Sequence, residues 1–307
     1  MSILVSGGMG FLGTTLVRML RERGETVVSY DRRGLENNKD RQLMYIQGDL
    51  MDLPLLIETI RKYEVHGIIH TAAISHPYFS RDIPYQTVMT NAVGTTNVFE
   101  AARLNGVKRV VNFSSECAYG NNQELEFINE DAQLNPTTPY GATKVFTEKL
   151  ARVYSELYRM EIPSLRPGWI YGPGQFMQCY MKTLIRNAID GVPTMEEKGI
   201  EYRFQYVHVT DVAAASIQAL TVQPNKLRYG VYNITGGTQI SYAELVDNIK
   251  ELFPEAVIDI GPGTIDVLDQ NAKFDITRAV EDLGYQPQVL LKQGITEYVE
   301  WLENHQY

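Results

Sequence analysis

The stretch that decides the fold is SILVSGGMGFLGTTLVRMLRERG, residues 2–24. It reads as a short apolar strand, a glycine turn and an amphipathic helix. Gly7, Gly10 and Gly13 have the spacing GxxGxxG, which lets the chain turn tightly and lets backbone approach a pyrophosphate. The helix from Phe11 points its first N–H groups at that anion. The stretch therefore predicts a phosphate-binding loop between a strand and a helix.

An acidic residue follows at the end of the second strand. TVVSY, residues 26–30, runs into Asp31, where a carboxylate can accept hydrogen bonds from an adenosine ribose. Asp31 repels a 2′-phosphate and favours NAD over NADP, whereas Arg32 and Arg33 directly after it can bind that phosphate. Gly7 to Asp31 can also be read as a tight turn and a strand end only, but the complete strand–turn–helix–strand context favours a dinucleotide site.

Apolar runs and helical patterns alternate along the first half of the chain. This alternation predicts βαβ units, and the continuous apolar character of the strands predicts helices on both sheet faces. We expect an α/β fold, a Rossmann-type doubly wound parallel sheet with a smaller, interleaved C-terminal substrate lobe. Residues 1–170 are expected to form the dinucleotide-binding domain, to which a segment at about 205–235 returns, and residues 171–307 mainly the substrate lobe. The strand runs are SILVS, TVVSY, LMYIQ, GIIHT and RVVNFSS.

Composition excludes several classes of function. The 307 residues are 44% hydrophobic and carry a formal charge of -9, which disfavours binding to nucleic acid or to an anionic membrane. Cys117 and Cys179 have no CxxC spacing, so neither a disulfide framework nor a metal site is expected. No targeting segment or long apolar run is present, and the default expectation is a cytoplasmic protein.

The pattern PYGATKVFTEKL, residues 139–150, places Tyr140 four residues before Lys144 on one helix face. A nearby ammonium stabilises a phenolate, so the two residues can form an acid/base unit that moves a hydroxyl proton. Ser115 ends a predicted strand 25 residues before Tyr140, where it can hold the reacting oxygen. A surface helix is the alternative for the YxxxK spacing alone.

At this point the chain resembles the extended short-chain dehydrogenase/reductase family, of the NAD-dependent epimerase/dehydratase type. The matching pieces run in the family's order over nearly the whole chain. They are GGMGFLG, Asp31, GDL with Asp49, HTAA at 70–73, TNAVGTTNVFEAA around Asn91, FSSECAYG, PYGATK, LRPGWIYGPG and YVHVTDVAAA.

The resemblance implies a role for each matching residue. Ser115, Tyr140 and Lys144 are the implied catalytic residues, with Tyr140 as proton donor or acceptor and Lys144 also on the nicotinamide ribose. The other implied NAD-binding residues are Gly7, Gly10, Phe11, Leu12, Gly13, Asp31, Arg32, Asp49, Leu50, Ala72, Ala73, Asn91 and Pro167. Capping or pinning a helix is an equal alternative for Asn91, and His70 and His208 are expected to be structural. A homodimer built from helices near 84–104 and 138–158 is implied as well.

Two departures from the family pattern concern the substrate. Dehydratases of the family follow the active-site hydroxyl with an Asp-Glu pair, whereas Ser115 is followed by Glu116 and Cys117, which disfavours dehydration. Nucleotide-sugar members carry arginines that clamp a diphosphate, but the corresponding stretches here offer only Arg203. A sugar-like or other small hydroxy compound is favoured. The substrate candidates are Ser75, His76, Tyr78, Ser115, Glu116, Trp169, Gln175 and Arg203.

The expected reaction is hydride transfer between NAD and a secondary alcohol, with Tyr140 as the acid/base. The same residues serve a dehydrogenase that releases its ketone and an epimerase that reduces the ketone on its other face. A nucleotide-sugar 4-epimerase with tightly bound, recycled NAD is therefore one alternative. A non-catalytic dinucleotide sensor is another, although it has no need for Ser115, Tyr140 and Lys144 together.

Overall fold

A computed structural model describes residues 1–34 and 40–306 of the chain. Its strands are β1 (Ser2–Ser6), β2 (Val27–Asp31), β3 (Leu43–Gln47), β4 (Val65–His70), β5 (Arg109–Phe113), β6 (Phe127–Ile128), β7 (Ser164–Pro167), β8 (Trp169–Tyr171), β9 (Thr194–Glu196), β10 (Arg203–Phe204), β11 (Tyr206–His208), β12 (Val231–Ile234), β13 (Ile240–Ser241), β14 (Ile258–Ile260) and β15 (Lys273–Phe274).

Helices fill most of the intervals between these strands. They are α1 (Phe11–Glu22), α2 (Leu53–Lys62), α3 (Pro77–Asp82), α4 (Pro84–Val88), α5 (Gly94–Leu104), α6 (Pro139–Tyr158), α7 (Tyr180–Asp190), α8 (Val209–Thr221), α9 (Tyr242–Leu252) and α10 (Leu291–Glu303). π-helical segments lie at Met89–Val93 and Ala279–Leu283, and 3₁₀ turns at Glu116–Ala118 and Pro224–Lys226.

Across the described residues, the main sheet has seven strands in the order β12-β7-β5-β4-β1-β2-β3, and all of its pairs are parallel. Chain direction away from β1 reverses between β1 and β4. In open α/β sheets ligands bind at the carboxyl ends of the strands beside such a reversal. The Rossmann-type α/β fold predicted from the sequence is confirmed.

Each face of the main sheet is covered by apolar helices. Helix α1 packs on α8, and their buried side chains share one core with β1, β5 and β7. Helices α2, α5 and α6 cover the opposite face and form a second core. Because both faces are buried, the central strands are continuous apolar runs rather than alternating ones.

A third core is formed mainly by the C-terminal half of the chain. It unites α7, α9 and α10 around large aromatic side chains, among them Tyr171, Phe204 and Tyr242. The spacing of Ser241 and Glu244 predicts a capping box, and helix α9 begins with one, in which the two residues satisfy each other's backbone N–H groups. β12 returns from this half of the chain and pairs with β7 at the edge of the main sheet.

Two local differences from the sequence patterns have physical causes. The helix expected near 84–104 is interrupted by the π-helical segment Met89–Val93. In this segment the side chain of Asn91 accepts a hydrogen bond from the backbone N–H of Ile74, in the loop after β4. The sequence at 177–190 also has a helical pattern, and the helix there begins at Tyr180, after an extended Cys179. Within residues 1–34 and 40–306, none of the helices is long and apolar enough to cross a membrane.

Candidate active site

The glycine loop after β1 is packed too closely for side chains. A Cβ on Gly13 would lie 2.0 Å from the carbonyl oxygen of Gly7, and a Cβ on Gly7 would lie 2.8 Å from backbone of Ala72. Gly7 also has φ +70°, which glycine adopts without strain. The loop therefore keeps its backbone open to a ligand at the start of α1, as the cradle of a dinucleotide diphosphate requires.

A cavity of about 450 Å³ runs from this loop to the start of α6. It is lined by every residue that the resemblance assigns to NAD binding except Asn91. Further lining residues that the sequence did not single out lie at the carboxyl ends of strands, the position that could have revealed them: Tyr30, Gly48, Thr71, Phe113 and Ser114.

The carboxylate of Asp31 closes one end of the cavity. It accepts hydrogen bonds from the backbone N–H groups of Met9 and Arg33, both at 3.1 Å. The guanidinium of Arg33 in turn donates to the carbonyl oxygen of Met9 and lies 3.8 Å from Asp31. Asp31 and Arg33 therefore hold the glycine loop as well as lining the pocket.

Asn91 lies outside the cavity wall and positions the loop after β4. Its side-chain oxygen accepts from the N–H of Ile74 at 2.8 Å, and its Nδ2 donates to the Ile74 carbonyl at 3.0 Å. Nδ2 also lies 3.2 Å from the hydroxyl of Thr143 in α6. Asn91 therefore ties the loop that carries the Ala72–Ile74 wall to the helix that carries Tyr140.

Ser115, Tyr140 and Lys144 come together at the carboxyl edge of β5. All three are buried, and Tyr140 and Lys144 line the cavity. Nζ of Lys144 donates to the Phe113 carbonyl oxygen at 2.8 Å and lies 5.5 Å from the centre of the Tyr140 ring. Helix α6 starts with a Thr138 cap, whose hydroxyl accepts from the N–H of Gly141.

Burial controls the protonation of this group. It raises the pKa of Tyr140 above its usual range, an effect increased by Cys117 and opposed by a hydrogen bond with Ser115. Burial lowers the pKa of Lys144 to about 8, while the carboxylate of Glu148 pushes it upward. In the protein alone Tyr140 is therefore a neutral phenol, which is the form that donates a proton.

A carboxyl group, that of Glu116, directly follows Ser115 in the chain. Burial, together with the negative charge of Asp269, raises the pKa of Glu116 to about 8, so that this side chain is mostly protonated at neutral pH. Burial also raises the pKa of Cys117 to about 12, which keeps it as a thiol. Asp269 is fixed from the other side by the Thr137 hydroxyl, at 2.8 Å from both carboxylate oxygens.

Comparison with known proteins agrees with this geometry. The profile of the "NAD dependent epimerase/dehydratase family" matches residues 3–235. The chain belongs to that family. Its members are NAD-dependent enzymes, so the predicted enzyme class and the predicted cofactor NAD are both confirmed.

Similar proteins extend the match over nearly the whole chain. A putative UDP-glucose 4-epimerase of Methanocaldococcus jannaschii is 31% identical over 99% of both chains. A dTDP-glucose 4,6-dehydratase of Streptomyces antibioticus is 27% identical over 99% of this chain and 93% of its own length. The structure of MoeE5 in complex with UDP-glucose and NAD superposes with a TM-score of 0.87 at 29% identity, covering 99% of both chains.

The substrate candidates of this epimerase/dehydratase family member fall into two groups. Ser75 and Gln175 line the cavity, and the Ser75 hydroxyl lies 3.9 Å from the sulfur of Met177 across it. The other candidates lie outside the cavity wall. His76 caps α3, Tyr78 meets the Tyr180 hydroxyl at 3.3 Å, Trp169 pairs with Tyr206 between β8 and β11, and Arg203 is exposed on β10.

The two histidines expected to be structural are buried. His70 contacts the hydroxyls of Ser6 and Thr95, at 2.5 and 2.9 Å, and burial lowers its pKa to about 3. The Nδ1 atom of His208 lies 2.7 Å from the Thr210 hydroxyl. No cluster of metal-ligating side chains occurs in the part of the chain that the structure describes.

Proposed function

We propose that Ser115, Tyr140 and Lys144 catalyse hydride transfer between NAD and a secondary alcohol of a sugar-like or other small hydroxy substrate. The supporting observation is their convergence at the carboxyl edge of β5, where Tyr140 and Lys144 line one cavity with the glycine loop. When bound, NAD supplies the hydride acceptor. A surface helix with a chance YxxxK spacing would not bury both side chains.

The chemistry follows from what each side chain can do. The hydroxyl of Ser115 holds the substrate oxygen, and the oxygen of Tyr140 exchanges a proton with it. The phenol is the form that protonates a ketone, and positive charge brought near the ring favours the phenolate that oxidation needs. Lys144 supplies such a charge, which makes its protonation state part of the reaction.

The surroundings of Glu116 favour a substrate without a diphosphate. Asp269 is an acidic group near Glu116, and two phosphates require several positive donors. Arg81 approaches from α3, but its guanidinium donates to the carbonyl oxygen of Val267. Phe204 of β10 is fully buried in aromatic neighbours, and Arg203 beside it is exposed.

A nucleotide-sugar 4-epimerase is the second candidate, and the similar proteins favour it. The M. jannaschii relative is named a putative UDP-glucose 4-epimerase, and MoeE5 was solved with UDP-glucose and NAD. In such an enzyme the ketone stays bound and is reduced again from the other face, so that NAD is recycled.

A substrate panel separates the two candidates. The purified protein is incubated with NAD and with free sugars, polyols, sugar acids and UDP- or dTDP-sugars, while NADH absorbance and product stereochemistry are followed. NADH formed in proportion to a free hydroxy compound supports the dehydrogenase, and interconversion of nucleotide sugars without net NADH supports the epimerase. NAD binding without conversion of any compound would overturn both.

A homodimer and a cytoplasmic location complete the proposal. Apolar side chains beyond those needed for one core lie exposed along α6, namely Phe146, Val153 and Leu157, and a second copy could cover them. Both Cys117 and Cys179 are free thiols, as expected in a reducing compartment.

A further inference from the structure

A buried ion pair lies behind the catalytic residues. Arg166 of β7 donates from Nε and Nη2 to the two carboxylate oxygens of Glu148 in α6, each at 2.6 Å. The side chains are 3% and 2% exposed. Burying two charges costs free energy of desolvation, and this loss is only recovered when the geometry is good. The position of this fully buried bidentate pair therefore indicates a role beyond stability.

The pair joins the segments that carry the site. Glu148 follows Lys144 by one helical turn and Tyr140 by two, on the same face of α6. Arg166 directly precedes Pro167, which lines the cavity. Its Nη1 donates to the hydroxyl of Tyr119 at 2.7 Å, just after the 3₁₀ turn that follows Ser115. The Arg166 guanidinium thus contacts the helix that carries Lys144 and the segment that follows Ser115. Arg166 is also the chain neighbour of Pro167.

Glu148 also supplies the negative charge nearest in sequence to Lys144 on its own helix. Burial alone favours the neutral amine, and Glu148 is the largest influence in the opposite direction. The other titratable groups around Lys144 are Tyr140 on α6, Cys117 on the 3₁₀ turn and His70 on β4. Tyr140 and Cys117 are held in their neutral forms by burial, and so is His70.

We propose that Glu148, fixed in place by Arg166, is a positioning residue that keeps Lys144 protonated at the working pH. Arg166 lets a carboxylate remain charged in the core, and the carboxylate in turn stabilises the ammonium one turn away. The purpose of this arrangement rests on the proposed function. Its test does not, because the charge of Lys144 is measurable in the protein alone.

The test is an NMR titration of protein labelled with ¹³C at lysine Cε, in which Lys144→Met identifies the signal. In Glu148→Gln we expect the titration midpoint of Lys144 to fall by about one pH unit or more. The matched control is Glu161→Gln, which removes the carboxylate from another largely buried arginine, Arg109, bound at 2.6 Å. The control should leave the Lys144 midpoint unchanged.

A second variant covers the case in which Glu148→Gln does not fold, because that change leaves Arg166 buried and unpaired. Glu148→Gln/Arg166→Met removes both charges, and the midpoint should again fall. A midpoint that stays at the wild-type value in a folded variant, with only thermal stability reduced, would overturn the proposal and leave the pair a purely structural role. A lowered midpoint in a protein that oxidises no alcohol would instead refute the proposed function alone.

Discussion

Burial dominates the chemistry of Tyr140. The YxxxK spacing suggests that Lys144 lowers the pKa of the tyrosine, but in the structure burial raises the pKa of Tyr140. The Nζ of Lys144 donates a hydrogen bond to the carbonyl oxygen of Phe113. Ser115 is the group that lowers the pKa of Tyr140, through a hydrogen bond. In the proposed reaction, proton transfer in the oxidising direction depends on positive charge near the Tyr140 ring, which Lys144 supplies.

Replacing Tyr140 by Phe removes only the hydroxyl. Turnover should fall at least about 100-fold, the usual contribution of a positioned acid or base. NAD affinity, measured by calorimetry, should change little because the ring remains in the cavity wall. Undiminished turnover in this variant would support the sensor alternative, whereas loss of NAD binding would indicate a mainly structural tyrosine.

Glu116 makes stability depend on pH. Its pKa is about 8 in the folded protein and 4.5 ordinarily, so the folded state binds the extra proton between these values. The contribution of Glu116 to the free energy of unfolding is fully present below pH 4.5 and is lost as the pH rises towards 8. Relative to wild type, Glu116→Gln should therefore gain up to a few kcal/mol between pH 5 and pH 8 in chemical denaturation.

The control for this titration is Glu126→Gln, which changes an exposed carboxylate in the same part of the chain. Its stability relative to wild type should be almost independent of pH. If the stability difference between Glu116→Gln and wild type is also independent of pH, the carboxyl of Glu116 is ionised and solvated in the folded protein.

Among the elements, the glycine loop makes the most specific demand on the sequence. Gly13→Ala places a methyl group against the Gly7 carbonyl, so the loop must move away from its ligand-binding conformation. NAD affinity should fall at least about tenfold, because the backbone donors lose their alignment. Gly230→Ala is the matched control, since its Cβ would meet open space. Equal NAD affinity in the two variants would exclude a diphosphate cradle at this loop.

Elements with a contiguous sequence signal were predicted well. Strands β1 to β5 of the main sheet and the α9 capping box each depend on residues within one short stretch. Other contacts depend on how distant segments fold together. Asp269 comes close to Glu116, and Arg33 donates a hydrogen bond to the carbonyl oxygen of Met9. The π-helical segment around Asn91 likewise follows from its bond to the Ile74 loop, which no local pattern records.

At the scale of the whole molecule, exposed apolar side chains on α6 predict a dimer. Leu157 is 67% exposed and lies on the same stripe as Phe146 and Val153. Phe146→Glu/Leu157→Glu should convert a dimer to a monomer in light scattering, because two charges would be buried in each half of the interface. Leu290→Glu, at a residue 75% exposed before α10, should leave the mass unchanged. A wild-type monomer would contradict the prediction.

The sheet also explains why the fold was more predictable than the substrate. NAD-binding groups come from successive strand ends of one sheet, each with its own motif. The region beyond Tyr140 combines Glu116, Thr137 and Asp269, which are far apart in the chain and match no motif together. The proposed substrate region therefore has no contiguous sequence signal.

The most direct test of the central claim is a single-turnover experiment with NAD and a converted panel compound deuterated at the oxidised carbon. The account predicts that deuterium appears at C4 of the bound nicotinamide with wild-type protein and is not transferred by Tyr140→Phe at equal NAD occupancy. Product formation with no deuterium on the nicotinamide at any time in the turnover, or equal transfer by both proteins, would contradict it.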